Sequence, residues 1–363
     1  MRQKELFDGK KVPAIWQGTG GVLHEYPDAQ TNIWVEGIRY GCNAIDTSER
    51  YGDGYAETLV GKTLKKVNRY EVFVGTKVAP ENLSRLDLIR ACKSSLKRLD
   101  TDYIDLYQIH WNNPMIPLEE TLNTMMELRT EGKIRYIGVC NFTLPQIEMC
   151  NEMLNGTLAT VQLEYNLGNR LCERDIIPYC QREGILFLGY SPLSGGTRTY
   201  VNNTLKLLSR VYGRTNNQIV LNWLTSQFNN CVLPKTRNYH HLIENAQSTE
   251  FTLDSVEIEA ISNQFRQTIV KLKPSQISCE NTKSGLEGNL PAYKTSEEAK
   301  ENKYNQMPSP EELSLEVVET KTLSKPLFIR QHGNTYELIG GNVRYWAWIL
   351  AFGMDEEVEC VII

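Results

Sequence analysis

The stretch 72–110, VFVGTKVAPENLSRLDLIRACKSSLKRLDTDYIDLYQIH, decides the fold class of this chain. It opens and closes with short apolar runs, which predict strands at Val72–Lys77 and Asp105–His110. Between them, Arg85–Leu99 has the apolar spacing of an amphipathic helix, and Ser84 before it is a typical N-cap residue. A strand, a helix and a second strand in this order are typical of a parallel sheet with helices on its faces.

The same alternation continues on both sides of that stretch. Further strands are predicted at Ala14–Gly18, Asn43–Thr47, Ile134–Cys140, Val161–Asn166, Ile185–Ser191 and Cys231–Thr236. Helices are predicted between them at Asp28–Tyr40, Leu118–Thr130, Gln146–Leu154, Asn216–Phe228 and Tyr239–Gln247. Eight strand–helix units in about 250 residues match a (β/α)8 TIM barrel. A doubly wound open sheet is the alternative, but the first predicted strand runs into GTGG (18–21), which lacks the GxGxxG spacing of that fold.

Composition excludes several other classes of protein. The 363 residues are 41% hydrophobic and 23% charged, so the chain has enough apolar residues to bury a core. A net charge of -5 gives no general attraction to nucleic acids or anionic membranes. The longest apolar run, Tyr345–Phe352, is too short for a membrane span, and the charged N-terminus does not resemble a secretory signal. Nine cysteines without a CxxC spacing predict reduced thiols in the cytoplasm, and the scattered histidines predict no metal site.

Polar side chains stand at or just after the end of nearly every predicted strand. They are Asp46, Lys77, His110, Asn141, Gln162, Tyr190, Ser191, Lys235 and Thr236. In a (β/α)8 barrel these strand ends converge on the face where active sites form. Asp46, Lys77 and His110, together with Tyr51, suggest acid–base chemistry. The ammonium of a lysine lowers the pKa of a nearby phenol, and a carboxylate orients that ammonium. A neutral imidazole polarises a carbonyl. This set predicts proton donation to a carbonyl that an external hydride donor reduces.

The segment AIDTSERYGDGYAETLVGKTL (44–64) resembles the signature of the aldo-keto reductase family. FVGTK (73–77) and DLYQIHW (105–111) resemble the lysine and histidine strands of that family. The segments that follow in the family's order are GKIRYIGVCNF (132–142), VQLEYN (161–166), GYSPLSGG (189–196) and VLPKTRNYHHLIENA (232–246). The resemblance covers roughly residues 11–265. It implies a barrel domain at 1–265 that reduces an aldehyde or ketone, a small-molecule substrate, with NADP(H).

The resemblance also implies a role for each matching residue. Tyr51 would donate the proton, Lys77 and Asp46 would tune it, His110 would orient the substrate carbonyl, and Trp111 would line the substrate pocket. The cofactor contacts would come from Gly18, Thr19, Asn141, Gln162, Tyr190, Ser191, Leu193, Gly195, Lys235, Thr236, Arg237, His241, Glu244 and Asn245. Cys140 stands where many members have serine, and His241 stands where several NADP-specific members have arginine. Because histidine is mostly neutral at pH 7, use of NAD(H) as well stays open.

The pattern changes after residue 265, and residues 266–363 are predicted to form a small α+β domain. Its predicted strands are Thr268–Leu272, Pro326–Gln331, Thr335–Ile339 and Val358–Ile363, and its predicted helices are Pro310–Thr320 and Val343–Ala351. The stretch Lys283–Pro310 is rich in Glu, Lys, Asn, Pro and Ser and is predicted to be a loop or a poorly ordered insert.

The last segment, YELIGGNVRYWAWILAFGMDEEVECVII (336–363), resembles the end of the ParB/sulfiredoxin-like fold. A glycine turn at a helix N-terminus with a nearby arginine suits a phosphate, so Gly340, Gly341 and Arg344 are candidate residues for binding a nucleotide. Asn342 and Val343 stand where sulfiredoxins have a cysteine and a histidine, so their cysteine chemistry is not expected here. No helix-turn-helix follows, and DNA binding is not expected either. A nucleotide-binding, a kinase-like and a purely regulatory module stay open for this domain.

Two other functions stay open at this point. Some members of the family, such as potassium-channel β subunits, use the cofactor-loaded barrel mainly for binding and sensing, so the chain could be a redox-responsive regulator. A barrel isomerase or lyase without a cofactor is the third hypothesis. The pocket loops carry no pattern that identifies the substrate.

Overall fold

The structure is a computed structural model that describes residues 1–21, 27–193, 202–227, 229–279, 292–306 and 308–362. The chain divides into two compact units, Met1–Phe265 and Arg266–Ile363. Among the helices that lie in the described ranges, none combines the length and the apolar character that a membrane span requires.

The first unit contains an eight-stranded sheet in which every strand pairing is parallel. A hairpin of β1 (Gln3–Glu5) and β2 (Lys11–Pro13) precedes it. The strands of the sheet are β3 (Gln17–Gly18), β4 (Ala44–Asp46), β5 (Phe73–Val78), β6 (Ile104–Ile109), β7 (Ile134–Cys140), β8 (Thr160–Glu164), β9 (Leu186–Tyr190) and β10 (Asn230–Leu233). A parallel bridge between Ile15 and Val232 joins the two edges, so the sheet closes into a barrel. The prediction of a (β/α)8 barrel is thus confirmed.

Helices surround this sheet. In the described part of the first unit they are α1 (Pro27–Arg39), α2 (Tyr55–Leu64), α3 (Arg85–Leu99), α4 (Leu118–Thr130), α5 (Leu144–Met153), α6 (Ile176–Glu183), α7 (Asn203–Tyr212), α8 (Asn216–Ser226), α9 (Tyr239–Gln247) and α10 (Ser255–Gln264). Capping residues begin several of them: Ser84 precedes α3, as predicted, and the Thr215 side chain accepts a hydrogen bond from the Gln218 amide at the start of α8.

Burial explains why the strands are continuously apolar. Every residue of β5 and β6 is buried, because helices cover the outside of the barrel and side chains fill its interior. Inside the barrel, Trp16 and Leu106 belong to one apolar cluster with Leu6 and Val12 of the β1–β2 hairpin. Five of the predicted strands extend too far at their carboxyl ends: β10, for example, ends at Leu233 rather than at Thr236. The residues beyond the strand ends belong to loops, which carry most of the candidate site.

The second unit has a mixed five-stranded sheet in the order β11-β15-β13-β14-β12. Its strands are β11 (Thr268–Leu272), β12 (Ile277–Ser278), β13 (Leu327–His332), β14 (Thr335–Gly340) and β15 (Val358–Ile362), and its helices are α11 (Ser296–Lys300), α12 (Pro310–Thr320) and α13 (Asn342–Phe352). Leu338, Trp346 and Val358 are among the residues of its apolar core. An α+β fold was predicted for this part of the chain, and its predicted strands and helices are found within a few residues.

The prediction of a loop or poorly ordered insert over Lys283–Pro310 is wrong for residues 292–306, which contain α11 and the fully buried Tyr293. The Asn342 side chain holds the Tyr293 backbone at both ends, because Oδ1 accepts from the Tyr293 amide at 2.8 Å and Nδ2 donates to its carbonyl at 3.1 Å. The Trp346 indole donates to the same carbonyl at 2.8 Å. Asn342 and Trp346 lie about fifty residues further along the chain than Tyr293. The composition of the segment around Tyr293 therefore cannot reveal these contacts.

Candidate active site

Lys77 and Asp46 form a buried ion pair at the ends of neighbouring strands. Lys77 is fully buried, and its Nζ donates to both carboxylate oxygens of Asp46, at 2.8 and 2.6 Å. The third donor position points to the Thr47 carbonyl oxygen at 3.0 Å. Burial alone would lower the pKa of Lys77, but the Asp46 carboxylate outweighs that effect and the pKa lies above its ordinary value. The Lys77 ammonium is therefore charged at neutral pH and held in one position by Asp46.

Tyr51 lies beside this pair, in the loop between β4 and α2. Its side chain is half-buried, and Lys77 Nζ is 5.2 Å from the centroid of its ring. Burial raises the pKa of Tyr51 to about 12, and the Lys77 ammonium opposes that rise. The ammonium thus acts in the expected direction, but desolvation is the larger effect. Tyr51 is consequently a protonated phenol at neutral pH.

The imidazole of His110 contacts three other side chains. Its ring meets the Tyr51 ring edge to face, with centroids 5.8 Å apart, and stacks on the Trp111 indole at 3.8 Å. Its Nδ1 lies 3.0 Å from Ser48 Oγ. Tyr51, Lys77, Asp46 and His110 are therefore brought together at one end of the barrel, as the positions at the strand ends predicted.

Three further candidates lie around this cluster. Gln162 Nε2 donates to Asp46 Oδ1 at 2.9 Å, and the Tyr190 hydroxyl donates to Asn141 Oδ1 at 2.8 Å. Cys140 lies between the two amides: its Sγ is 3.6 Å from Gln162 Oε1 and 3.2 Å from Asn141 Nδ2. A thiol, which is a weak hydrogen-bond partner, thus occupies the place between two side chains that the sequence assigned to the cofactor.

Backbone strain and an orphaned hydroxyl mark the same rim. Asn141 has φ 61° and Ser191 has φ 51°, a left-handed conformation that is uncommon for residues other than glycine. Thr19 is buried, and in the described part of the chain its Oγ1 has no hydrogen-bond partner. A buried hydroxyl without a partner is costly, so a bound polar ligand would satisfy it. The donor groups at this rim fit a nicotinamide dinucleotide.

The remaining predicted cofactor residues lie after β10 and on α9. Lys235 and Arg237 are exposed, whereas Asn245 is buried. The ammonium of Lys235 lies 3.1 Å from the point where a Cβ of Gly21 would stand, so it faces the loop after β3. Glu244 is half-buried, Thr236 Oγ1 interacts with the Asn238 backbone, and His241 is exposed in the first turn of α9.

Three further residues were predicted to contact the cofactor: Leu193, Gly195 and Gly18. Leu193 packs against the apolar core of the first unit, and Gly195 lies outside the described residues. Gly18 allows β3 to approach the end of β10, because a Cβ there would lie 3.2 Å from the Leu233 carbonyl oxygen.

Sequence reasoning assigned no role to Ser48 or Glu57, both of which lie within the quoted segment 44–64. Glu57 is fully buried and accepts from Thr76 Oγ1 and from Arg98 Nε, each at 2.6 Å. The signal for Glu57 was that it is the single carboxylate of α2. Ser48 had no comparable signal, because its contact with His110 spans 62 residues.

In the second unit, the three candidates for phosphate binding lie close together. Gly341 is the N-cap residue of α13, directly after Gly340 at the end of β14. Arg344 Nη1 donates to the Pro326 carbonyl oxygen at 2.8 Å. Among all the described residues, no group of three or more His, Cys, Asp and Glu side chains is arranged to hold a metal ion.

Comparisons with known proteins agree with this geometry. The model of the aldo/keto reductase family matches residues 27–264. Methylglyoxal reductase YeaE of Escherichia coli (strain K12) is 34% identical over 274 residues, which cover 73% of this chain and 96% of that protein. Aldo-keto reductase YhdN of Bacillus subtilis (strain 168) is 39% identical over 207 residues, which cover 53% and 61% of the two chains.

Solved structures lead to the same family. The thermostable aldo-keto reductase Tm1743, in complex with the inhibitor epalrestat, superposes with a TM-score of 0.70 at 38% identity, covering 72% of this chain and 99% of that one. An aldo/keto reductase from Klebsiella pneumoniae in complex with NADP and acetate has a TM-score of 0.68 at 30% identity, covering 73% and 96%. With the family model matching more than half of its length, this chain belongs to the aldo/keto reductase family.

Proposed function

We propose that the first unit reduces the carbonyl group of an aldehyde or ketone to an alcohol with NADPH. The observation that carries this proposal is the cluster of Tyr51, Lys77, Asp46 and His110 at one end of a closed barrel. The cluster offers a proton donor, a fixed positive charge and an imidazole, which is the chemistry that a carbonyl oxygen needs when it gains negative charge.

Each residue has a distinct task in this mechanism. The Tyr51 phenol, whose pKa is about 12, holds its proton at neutral pH and gives it to the carbonyl oxygen. The Lys77 ammonium stabilises the phenolate that is left, and Asp46 keeps the ammonium oriented. His110 donates a hydrogen bond that orients the carbonyl, while Trp111, stacked on its ring, lines the substrate pocket. When bound, NADPH supplies the hydride.

The proposed cofactor contacts divide along the rim of the barrel. Asn141, Gln162 and Tyr190 would hold the nicotinamide end, and Thr19 would use its buried hydroxyl there. Gly18, Ser191, Leu193 and Gly195 would meet the pyrophosphate. The adenosine end would lie against Lys235, Thr236, Arg237, His241, Glu244 and Asn245. The Klebsiella pneumoniae structures in complex with NADP and with NADPH support the choice of cofactor.

The alternatives have less support. A regulator that only senses a bound cofactor has no need for a buried ammonium beside a phenol, whereas a reductase does. An isomerase or lyase without a cofactor would not need the polar set of Asn141, Gln162 and Tyr190 at the rim of the barrel. The relatives named as reductases also favour carbonyl reduction.

Replacing the proton donor tests the proposal. We expect Tyr51→Phe to lower kcat for a panel of aldehydes by about a hundredfold or more, because general acid catalysis supplies that much. The Kd for NADPH, followed by protein fluorescence, should stay within about twofold, because only a hydroxyl is lost. Tyr70→Phe is the matched control, since Tyr70 is 80% exposed, and it should keep full activity. Undiminished turnover in Tyr51→Phe would remove the phenol from the mechanism.

For the second unit, a ParB/sulfiredoxin-like fold with a nucleotide at Gly340, Gly341 and Arg344 stays a proposal. The glycine turn before α13 supports it. A phosphate would have to share the Arg344 guanidinium with the Pro326 carbonyl. Calorimetric titration with ATP tests this proposal. Binding to the native protein that is weaker in Arg344→Gln would support it, and the absence of a heat of binding with the native protein would refute it.

A further inference from the structure

Ser48 is buried completely, two residues after Asp46, and its hydroxyl lies 3.0 Å from His110 Nδ1. The contact joins the loop after β4 to the end of β6, on the side of the imidazole opposite to Nε2. In a neutral imidazole one ring nitrogen carries the proton and the other accepts, so the partner of Nδ1 decides which nitrogen donates. The direction of this hydrogen bond therefore determines what His110 offers to a substrate.

The surroundings of Ser48 favour one direction. The backbone N–H of Arg50 donates to Ser48 Oγ at 3.2 Å, so the oxygen already acts as an acceptor there. The hydroxyl proton then has two acceptors within reach, His110 Nδ1 at 3.0 Å and the Lys77 carbonyl oxygen at 3.5 Å. The Lys77 carbonyl oxygen also accepts a hydrogen bond from the Glu49 backbone N–H, at 3.3 Å. The closer acceptor is Nδ1, and it gives the better hydrogen bond.

We propose that Ser48 is a positioning residue for carbonyl reduction: its hydroxyl donates to His110 Nδ1 and thereby keeps the proton of the neutral imidazole on Nε2. In that tautomer Nε2–H donates a hydrogen bond to the carbonyl oxygen that Tyr51 protonates. With the proton on Nδ1, Nε2 would present a lone pair to that oxygen and repel it. Stacking on Trp111 helps to keep the ring in place. This inference rests on the proposed function of the first unit.

The tautomer is measured directly by ¹⁵N NMR of the native protein labelled in its histidines, at about pH 8, where an ordinary histidine is neutral. The His110 signals are assigned as those that disappear in His110→Gln. We expect a protonated Nε2 and an unprotonated, hydrogen-bonded Nδ1. A native protein with the proton on Nδ1 would overturn the proposal without any reference to activity.

Variants of Ser48 test the consequence. Ser48→Ala should shift the His110 tautomer toward Nδ1–H and lower kcat/KM for an aldehyde about tenfold, which is the factor that one hydrogen bond of ordinary strength supplies, with the Kd for NADPH unchanged. Ser48→Thr keeps a hydroxyl and should restore the native tautomer and most of the activity. Ser95→Ala removes another fully buried serine, which accepts from Arg98, and should leave the His110 signals as they are.

The outcomes separate the two proposals. Native tautomer and native kcat/KM in Ser48→Ala would refute the role of Ser48 and leave the reductase proposal intact. If the native protein reduced no carbonyl compound, the proposed function would fail, and the NMR signals of His110 would still report on the hydrogen bond from Ser48. If Ser48→Ala did not fold, the native spectrum and the Ser48→Thr variant would still decide.

Discussion

Arg98 on α3 holds the segment that carries Tyr51. Its Nε donates to the Glu57 carboxylate at 2.6 Å, and its Cδ lies 2.5 Å from the point where a Cβ of Gly54 would stand. Gly54 ends the loop after Tyr51 in a left-handed conformation, with φ 84°, and no side chain fits between it and Arg98. A helix on the outside of the barrel thus fixes the backbone next to the proposed proton donor.

Breaking this contact should destabilise the first unit. We expect Arg98→Met to lower the free energy of unfolding by about 3 kcal/mol, because the fully buried Glu57 carboxylate would lose its cationic partner. Urea unfolding followed by circular dichroism measures the change. Arg85→Met, on the same helix, removes the exposed pair with Glu127 and should cost no more than about 0.5 kcal/mol. An equal decrease in the free energy of unfolding in the two variants would show that the buried Arg98–Glu57 pair stabilises the unit no more than an exposed pair does.

Buried thiols should make the fold sensitive to alkaline pH. Burial raises the pKa of Cys42, Cys92, Cys180 and Cys231 to about 12, from an ordinary value of 9.0. The folded protein then keeps protons that the unfolded chain loses, so the thiols' contribution to stability is complete below pH 9 and declines as the pH rises toward 12.

Urea midpoints between pH 8 and pH 10 test this prediction. We expect the midpoint to fall steadily above pH 9, and Cys180→Ala to flatten part of that slope, since it removes one such thiol. A midpoint that stays constant from pH 8 to pH 10 would contradict it.

His241 should weaken the preference for NADP(H). The residue is exposed in the first turn of α9, where an imidazole forms a weaker contact with a phosphate than the bidentate guanidinium of an arginine does. His241→Arg should lower the Kd for NADPH about tenfold and leave the Kd for NADH unchanged.

The control for this prediction is the neighbouring histidine. His240, whose side chain is 78% exposed, lies 3.4 Å from Glu244 and is not assigned to the phosphate. His240→Arg adds a charge in the same helical turn without a direct phosphate contact, so it should tighten NADPH binding less than His241→Arg does. Equal tightening by both variants would indicate general attraction rather than a phosphate contact.

Asn342 should hold residues 292–306 in place. Asn342→Ala leaves the buried Tyr293 amide without its side-chain partner, while the Tyr293 carbonyl keeps only the Trp346 indole, and we expect a cost of about 2 kcal/mol. Limited tryptic digestion, read by mass spectrometry, should then show faster cleavage after Lys294. Asn334→Ala, at an exposed turn, should leave the cleavage rate unchanged. Unaltered cleavage in Asn342→Ala would show that other contacts hold this segment.

The sequence by itself determined the alternation of strands and helices and the residues at the strand ends. The predicted bounds of α3 and α4 agree with the structure at both ends, because capping residues and apolar spacing act over a few neighbouring residues. Tyr51, Lys77, Asp46 and His110 could be selected in advance because parallel strands of a barrel end at the same rim.

Only the tertiary structure decided the contacts between distant segments. Ser48 meets His110 because β4, β5 and β6 pair in register, and no local pattern encodes a distance across 62 residues. The pKa of Tyr51 rises rather than falls because burial, which depends on every surrounding element, outweighs the charge of Lys77. Residues 292–306 are held in place by hydrogen bonds from Asn342 to Tyr293, and the polar composition of the segment could not indicate these contacts. The periodicity that predicts helices and strands depends on residues that are close in sequence, whereas burial and long-range contacts depend on how all the elements pack together.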